Sequence, residues 1–295
     1  MTRGALELIV WDVREGSAAT LILPDGRVVW FDCGKGSFIN GENFLPYKSL
    51  KSPIIDLLVL SHPHKNHLKD FWNIPSSNIN DCLFNSTVSN EYMDALRSFS
   101  ENRGDIAETF AKRFIMKPSP YCGIIRAYKF PFAPPLTLFG YWVDDYFGDN
   151  FNNYSVVVFL STGKNIVCLT GDIEEEGFDF LLTKHTPFFD ELLRKTNIFL
   201  ALHHGNKKGW FSKFSSLLRP EITIISENEG KETDALSFYE NITAGHIVQK
   251  EIKDSTEWLF PPVFKKNKIL TTKANGTIKI VLTEKEFSLF ATRGL

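Results

Sequence analysis

Four apolar runs in this chain each break off at a polar residue with useful chemistry. "VVWFDCG" ends at Asp32, "LLVLSHPHKNHL" at His62, His64 and His67, "NIVCLTGD" at Asp172, and "NIFLALHHG" at His203 and His204. Short runs rich in Val, Ile, Leu and Phe read as strands covered on both faces. Ligands of α/β sheets gather beyond the carboxyl ends of such strands. The fold must therefore bring four strand ends, far apart in sequence, to one rim.

The remaining chain supplies the material for such a fold. "ALELIVWDV" and "SAATLILP" are strand-like, and "PDGR" is a turn before "RVVWFDCG". Residues 89–115 carry helical spacing interrupted near Gly104, and "IEEEGFDFLLTKHTPFFDELLRKT" is helical with a break at Pro187. "NYSVVVFLS" and "NIVCLTGD" form a hairpin, and "EITIIS" is a further strand. The last stretch, "KILTTKANGTIKIVLTEKEFSLFAT", reads as a β-meander with an "NG" turn. Two batches of hairpins alternating with helices, with no linker or repeat, predict one α/β domain over residues 1–295. Its expected form is a four-layer αββα sandwich with its core between two mostly antiparallel sheets.

Five of the seven histidines fall in just two of these loops. On an extended stretch, residues i and i+2 point the same way, so His62 and His64 can reach one metal ion, and a turn brings positions 66 and 67 to another. Imidazole nitrogens combined with carboxylates suit zinc, manganese or iron; calcium and magnesium want oxygen almost exclusively. His185 and His246 lack comparable surroundings and read as structural or surface residues. The four cysteines include no CxxC pair, which fits reduced, buried thiols. The start has no basic segment leading into an apolar one, and no run is long enough to cross a bilayer, so a cytoplasmic chain without membrane contact is expected.

"SHPHKNHL", with "FDCGKG" before it and "LTGD" and "HHG" after it, resembles the metallo-β-lactamase fold superfamily, whose signature is H-x-H-x-D-H. The match runs in order from about residue 6 to 282. "NNYSVVVFL", "IVCLTGD", "ALHHGN" and "NGTIKI" are most similar to the branch that contains the hydrolase domain of bacterial DNA-uptake (competence) proteins. The resemblance implies an αββα sandwich with two divalent metals, zinc or manganese. His62 and His64 would hold the first, position 66 and His67 the second, and Asp172 would bridge them. His203 or His204 would complete the set, and Asp32 would brace a ligand through a hydrogen bond.

The chain departs from that pattern twice. Asn66 stands where the family has aspartate. It offers a neutral carbonyl oxygen, so the second metal should bind more weakly and turnover should fall. A natural relic, a natural active variant and a deliberate isosteric substitution all remain open. No histidine lies between His67 and Asp172, where many family members place another ligand; Asn152, Asn153 and Ser155 of "NFNNYS" are candidates to ligate or to hold a phosphate oxygen, against the plainer reading of a capped turn.

The reaction expected is metal-assisted hydrolysis, since a bound divalent ion lowers the pKa of water from about 15.7 towards about 7. Asn66, Asp172 and His204 are the candidate catalytic positions. A formal net charge of −2 gives no overall attraction to nucleic acid. Lys65, Lys69, Lys207 and Lys208 nevertheless lie in the histidine loops, with Lys35, Lys48 and Lys51 in neighbouring ones, so the active rim can be locally basic. Trp210 and Phe211 are either base-stacking platforms or packing residues. The leading expectation is a nuclease or phosphodiesterase acting on DNA. By family analogy such domains also serve as effectors in antiviral defence, under the control of a regulatory partner protein. The competing expectations are a small-molecule hydrolase (lactonase, thioesterase or β-lactamase-like) and a non-catalytic module that binds nucleic acid.

Overall fold

The computed structural model describes residues 4–14, 16–37, 43–98, 126–130, 136–144, 147–227, 233–250 and 264–293. The second half of the helical stretch after Gly104, and Cys122, lie outside them. One sheet has the spatial order β15 (Phe264–Asn267), β14 (His246–Lys250), β18 (Phe287–Ala291), β17 (Ile278–Leu282), β1 (Leu6–Val10), β2 (Ala19–Ile22), β3 (Val28–Phe31), β6 (Leu57–Val59), β7 (Cys82–Leu83). The other runs β16 (Ile269–Thr271), β13 (Ile222–Ile225), β12 (Ile198–Leu200), β11 (Asn165–Leu169), β10 (Val157–Thr162), β9 (Leu136–Tyr141), β8 (Arg126–Phe130). A small pair, β4 (Gly36–Ser37) and β5 (Asn43–Phe44), stands apart.

Side-chain pattern decides the layering. β1, β17 and β18 alternate buried and half-buried residues, turning one face to the core. β11, β12 and β13 are buried at every position, because they are covered on both sides. Leu8, Val29, Val158, Ile198 and Ile280 pack between the sheets. On the outer face of the second sheet, helices Glu175–Lys184, Phe188–Arg194 and Phe214–Leu217 lay Phe178, Phe189 and Phe214 against Phe159 and Phe199, with edge-on ring centroids 5.0 to 5.4 Å apart. Tyr47, Phe71 and Tyr92 cover Trp30 on the outer face of the first sheet. The result is an αββα sandwich, and much of the chain's phenylalanine sits in one of its outer layers.

Two expectations are corrected. The first sheet is mostly antiparallel, but the second changes character at β11: β11, β12, β13 and β16 are mutually parallel. Parallel neighbours need crossovers, and the helices between β11 and β13 provide them. Ile269–Thr271, read as part of a terminal meander, instead pairs with β13 as β16. The chain then makes one helical turn, Thr272–Asn275, and crosses to the first sheet as β17. Its alternating pattern is equally compatible with either sheet.

The strand directions explain the gathering of loops. Strands β11, β12, β13 and β16 all point their carboxyl ends to one rim, as do the parallel β3 and β6. The opposite rim is made of hairpin turns, joined where the Asn165 side-chain amide donates to Thr283 O (2.9 Å) and Glu286 O (3.2 Å). Among the described residues, no helix is long and apolar enough to cross a membrane.

Candidate metal centre

Three imidazoles meet a single carboxylate at the active rim. Asp172, just past β11, lies with its oxygens 3.2 Å from His67 Nε2, 3.3 Å from His204 Nε2 and 3.8 Å from His62 Nε2. His67 and His204 bring their Nε2 atoms within 3.3 Å of each other, and His64 Nδ1 is 3.0 Å from His62 Nε2. His62, His67 and Asp172 each offer a donor atom within 4.8 Å of the others, and all are buried. A cavity of about 40 Å³ adjoins Asp32, Ser61, Asp172 and His204.

The partners on the far side of each ring set its orientation. Asp32 Oδ2 lies 2.7 Å from His67 Nδ1 and also accepts from Ser61 Oγ (2.8 Å), while its Oδ1 accepts from Ser61 N (2.7 Å). The Ser226 carbonyl lies 2.6 Å from His204 Nδ1. A carbonyl oxygen only accepts, so His204 carries a proton on Nδ1 and turns Nε2 towards Asp172. The Asp32 carboxylate does the same for His67. Ser61 Oγ lies 3.0 Å from His62 Nδ1.

Charge in this cluster is strongly coupled. Burial disfavours a charged His67, but Asp172 and Asp32 outweigh it and push its pKa up to about 10. Burial, then the neighbouring His67, holds His62 well below the ordinary imidazole value. Burial would raise Asp172, yet His204 and His67 hold it well below the carboxylate range. A divalent cation fits the same donor set: imidazole Nε2 atoms with their Nδ1 sides anchored, beside a buried carboxylate.

The backbone around the centre is strained at three positions. His203 (φ 45°, ψ 49°) and His204 (φ 55°, ψ 28°) are both left-handed, as is Asp32 (φ 53°). Each costs about 1–3 kcal/mol and persists only where the surroundings dictate it. Hydrogen bonds from His203 N to Gly171 O (3.2 Å) and from Asn206 N to His203 O (3.0 Å) fasten this turn. Gly171 (φ +58°) lets the β11 loop meet the first histidine loop, since a Cβ there would lie 2.8 Å from Ser61 Cβ. Gly16 (φ +83°) lies against the Asn66 backbone, where a Cβ would fall 1.8 Å from Asn66 O.

The structure brings together His62, His64, His67, Asp172, His204 and Asn66, whose Nδ2 is 3.4 Å from His204 Nε2. His203 goes elsewhere. Its Nδ1 is 3.2 Å from Glu174 Oε1, in an ion-pair contact without an aligned hydrogen bond. Glu174 also accepts from Asn150 Nδ2 and Asn152 Nδ2, both at 2.9 Å, and the close His203 ring leads in pulling its pKa down to about 2. Asn153 and Ser155 are buried and used internally. Asn153 Oδ1 accepts from Glu174 N (3.1 Å) and Gly177 N (3.2 Å), capping the helix Glu175–Lys184, and Ser155 Oγ accepts from Asp172 N (3.1 Å). Ser155 thus steadies the backbone of Asp172, and Asn153 Oδ1 the start of the helix that follows it.

Lys65, Lys207 and Lys208 are exposed. Lys207 sits against Asp234, which accepts from its backbone N at 2.7 Å and lies 3.8 Å from its Nζ. Trp210 packs on Phe214, Phe238 and Tyr239, and Phe211 is buried, so both serve packing. His246 stacks on Phe287 and pairs with Glu221, away from the centre. Ser61, Ser226 and Glu174 complete the site without having stood out in the sequence. Ser61 directly precedes the histidine motif, and Ser226 ends a strand parallel to the one carrying His204, which are the signals that point to them.

No family model matches the chain. A curated protein, Recombination protein 2 of Haemophilus influenzae, is 27% identical over 218 residues, covering 73% of this chain. The chain spans only 23% of that relative's length. Among solved structures, a metallo-β-lactamase fold protein from Bacillus subtilis is similar over 81% of this chain and 94% of its own, at 11% identity and a TM-score of 0.42. A metallo-β-lactamase from Cronobacter sakazakii aligns over 66% of this chain and 76% of its own (13% identity, TM-score 0.35). A long-form RNase Z from yeast aligns over 78% and 38% (12% identity, TM-score 0.32).

Proposed function

We propose that this chain, an αββα sandwich of the metallo-β-lactamase fold, is a metal-dependent hydrolase of phosphodiesters with DNA as its substrate class, its turnover held low by Asn66. The observation that carries the hydrolytic reading is the convergence of His62, His67 and His204 on Asp172, with Asp32 and Ser226 O anchoring two of the rings from behind. His62, His67, His204 and Asp172 would hold a divalent cation, with His64 and position 66 at its side. When bound, the cation supplies Lewis acidity and makes water more acidic.

The chain's own residues prepare the rest. Asp32 keeps His67 Nε2 directed inward. Ser155 and Gly171 hold the backbone of Asp172 against the first histidine loop. Asn66 presents an amide where a carboxylate would accept a proton from water and add a negative charge, a contribution typically worth about 10²–10⁴ in rate. The DNA substrate class rests on the name carried by the Haemophilus relative and on the lysines of the rim loops.

The decisive test compares this chain with Asn66→Asp in zinc and manganese. The expected result is a second bound equivalent of metal and at least about 10²-fold faster cleavage of bis(p-nitrophenyl) phosphate and plasmid DNA, abolished by His67→Ala. If Asp at position 66 alters neither metal content nor hydrolysis, the centre is not catalytic. Cleavage of an ester or lactone reporter with DNA left intact would move the substrate class to small molecules.

A further inference from the structure

A second cavity opens on the same rim, beside the metal centre. It measures about 170 Å³ and is lined by Asp12, Arg14, Glu227, Lys273 and Arg293. A single water needs only about 10–15 Å³, so a hydrated anion fits. Every lining residue is charged, and each follows the rim end of a strand: Asp12 and Arg14 after β1, Arg293 after β18, Glu227 after β13 and Lys273 after β16. The pocket therefore spans both sheets, as the metal centre does.

The two sites are neighbours. Glu227 is the residue after Ser226, whose carbonyl anchors His204, and Arg14 is two residues from Gly16, which touches Asn66. Across the sheets, β1 lies two strands from β3, and β16 two from β12. Glu227 follows β13, the direct neighbour of β12, so at about 4.8 Å per strand the nearer walls of the two sites stand about 5–10 Å apart.

Charge is layered by depth. The carboxylates lie inside, with Asp12 16% and Glu227 13% exposed at the side chain, and the cations lie at the mouth, with Lys273 68% and Arg293 45% exposed. Arg293 is ion-paired to Asp12 and donates to Thr272 O (3.1 Å), and Lys273 Nζ is 3.5 Å from Glu227 Oε1. The carboxylates thus hold the cations in place, and Arg14 brings the lining to three cations against two carboxylates. Thr272 Oγ1 accepts from Glu227 N (3.1 Å) and Arg293 N donates to Asn275 O (2.9 Å), so the frame is fastened before any ligand arrives.

The geometry points to this pocket as a phosphate-binding subsite that holds the phosphodiester backbone of a nucleic acid strand beside the metal centre. The inference rests on the phosphodiester reading above for its substrate class. It adds a reason for the chain to prefer a polymer over a small diester: a strand can place one phosphate at each site, whereas a small diester has only one.

The test measures binding of a 5′-fluorescein-labelled single-stranded 12-mer by anisotropy, in EDTA, across a salt series. Lys273→Glu and, at the other wall, Arg14→Gln are compared with Lys285→Glu, an equal charge change in the exposed turn at the opposite rim. Lys273→Glu is expected to weaken binding about tenfold and to lower the slope of log affinity against log salt by about one, with Arg14→Gln acting in the same direction and Lys285→Glu near parent. Absence of binding by the parent chain, or equal effects at Lys273 and Lys285, overturns the subsite. The assay contains no metal, so it separates the two readings. Failure of Asn66→Asp to cleave diesters would end the hydrolase reading alone, and diester cleavage with Lys273→Glu binding like Lys285→Glu would end the subsite alone.

Discussion

Replacing Asp32 by asparagine tests whether the metal centre is organised from behind. Asp32 is buried and serves three donors: Ser61 N at 2.7 Å, Ser61 Oγ at 2.8 Å and His67 Nδ1 at 2.7 Å. Asparagine has one acceptor oxygen, so it cannot serve both sides. If the oxygen faces Ser61, the NH2 group faces His67 Nδ1 and favours the tautomer with its proton on Nε2, the atom turned towards Asp172. If the oxygen faces His67, the NH2 group opposes Ser61 N–H, and a buried donor goes unmatched at about 1–3 kcal/mol. Loss of such a ligand-orienting partner typically costs 10–100-fold in metal affinity, about 1.4–2.7 kcal/mol. Zinc affinity of the apo chain, measured by competition with a chromophoric chelator at fixed pH, should fall by that factor in Asp32→Asn while far-UV dichroism is preserved. Zinc affinity within twofold of the parent would show that Asp32 does not orient His67 and that the centre is organised by other means.

Two further outcomes follow from groups around the site. Gly16→Ala forces a Cβ to 1.8 Å from Asn66 O at a left-handed φ, and should cost at least about 2 kcal/mol in urea unfolding; a change below about 0.5 kcal/mol would disprove the close approach. Asp70 is raised from 3.8 to about 6, chiefly by burial, against hydrogen bonds from Tyr47 N and Asn73 Nδ2. Its folded pKa lies above its unfolded one, so its stabilising contribution is full below about pH 4 and is lost as pH rises through about 6. Over that window the group should remove up to about 3 kcal/mol of stability, and Asp70→Asn should flatten that part of the pH–stability curve. An unchanged curve would refute the assignment.

The parts of the site legible in sequence are those fixed by local geometry. His62 and His64 share a face because they are two apart on extended chain, and Asp32 and Asp172 announce themselves by ending apolar runs. The choice between His203 and His204 was not legible, because it depends on two successive left-handed residues that turn neighbouring rings to opposite sides. Asn153 and Ser155 carry the right polar groups for a ligand or phosphate contact, and only tertiary packing shows Asn153 Oδ1 accepting from a helix start and Ser155 Oγ from the backbone of Asp172. Lys207 is exposed as its sequence context suggests, but only the fold shows Asp234 beside it. The error over Ile269–Thr271 has the same origin: a short alternating strand satisfies either sheet, and long-range pairing chooses.

The separation of the sandwich into two unlike rims has a practical side. Turns such as Pro24–Gly26, Gly163–Lys164 and Glu284–Lys285 join antiparallel strands at the end farthest from the imidazoles. A peptide tag, a fluorophore or a tether to a solid support placed in the Pro24–Gly26 turn would leave the whole reactive mouth facing bulk solution. The molecule therefore comes with a grip and a working end, and a ligand of any size can be presented to it without hindrance from whatever holds it.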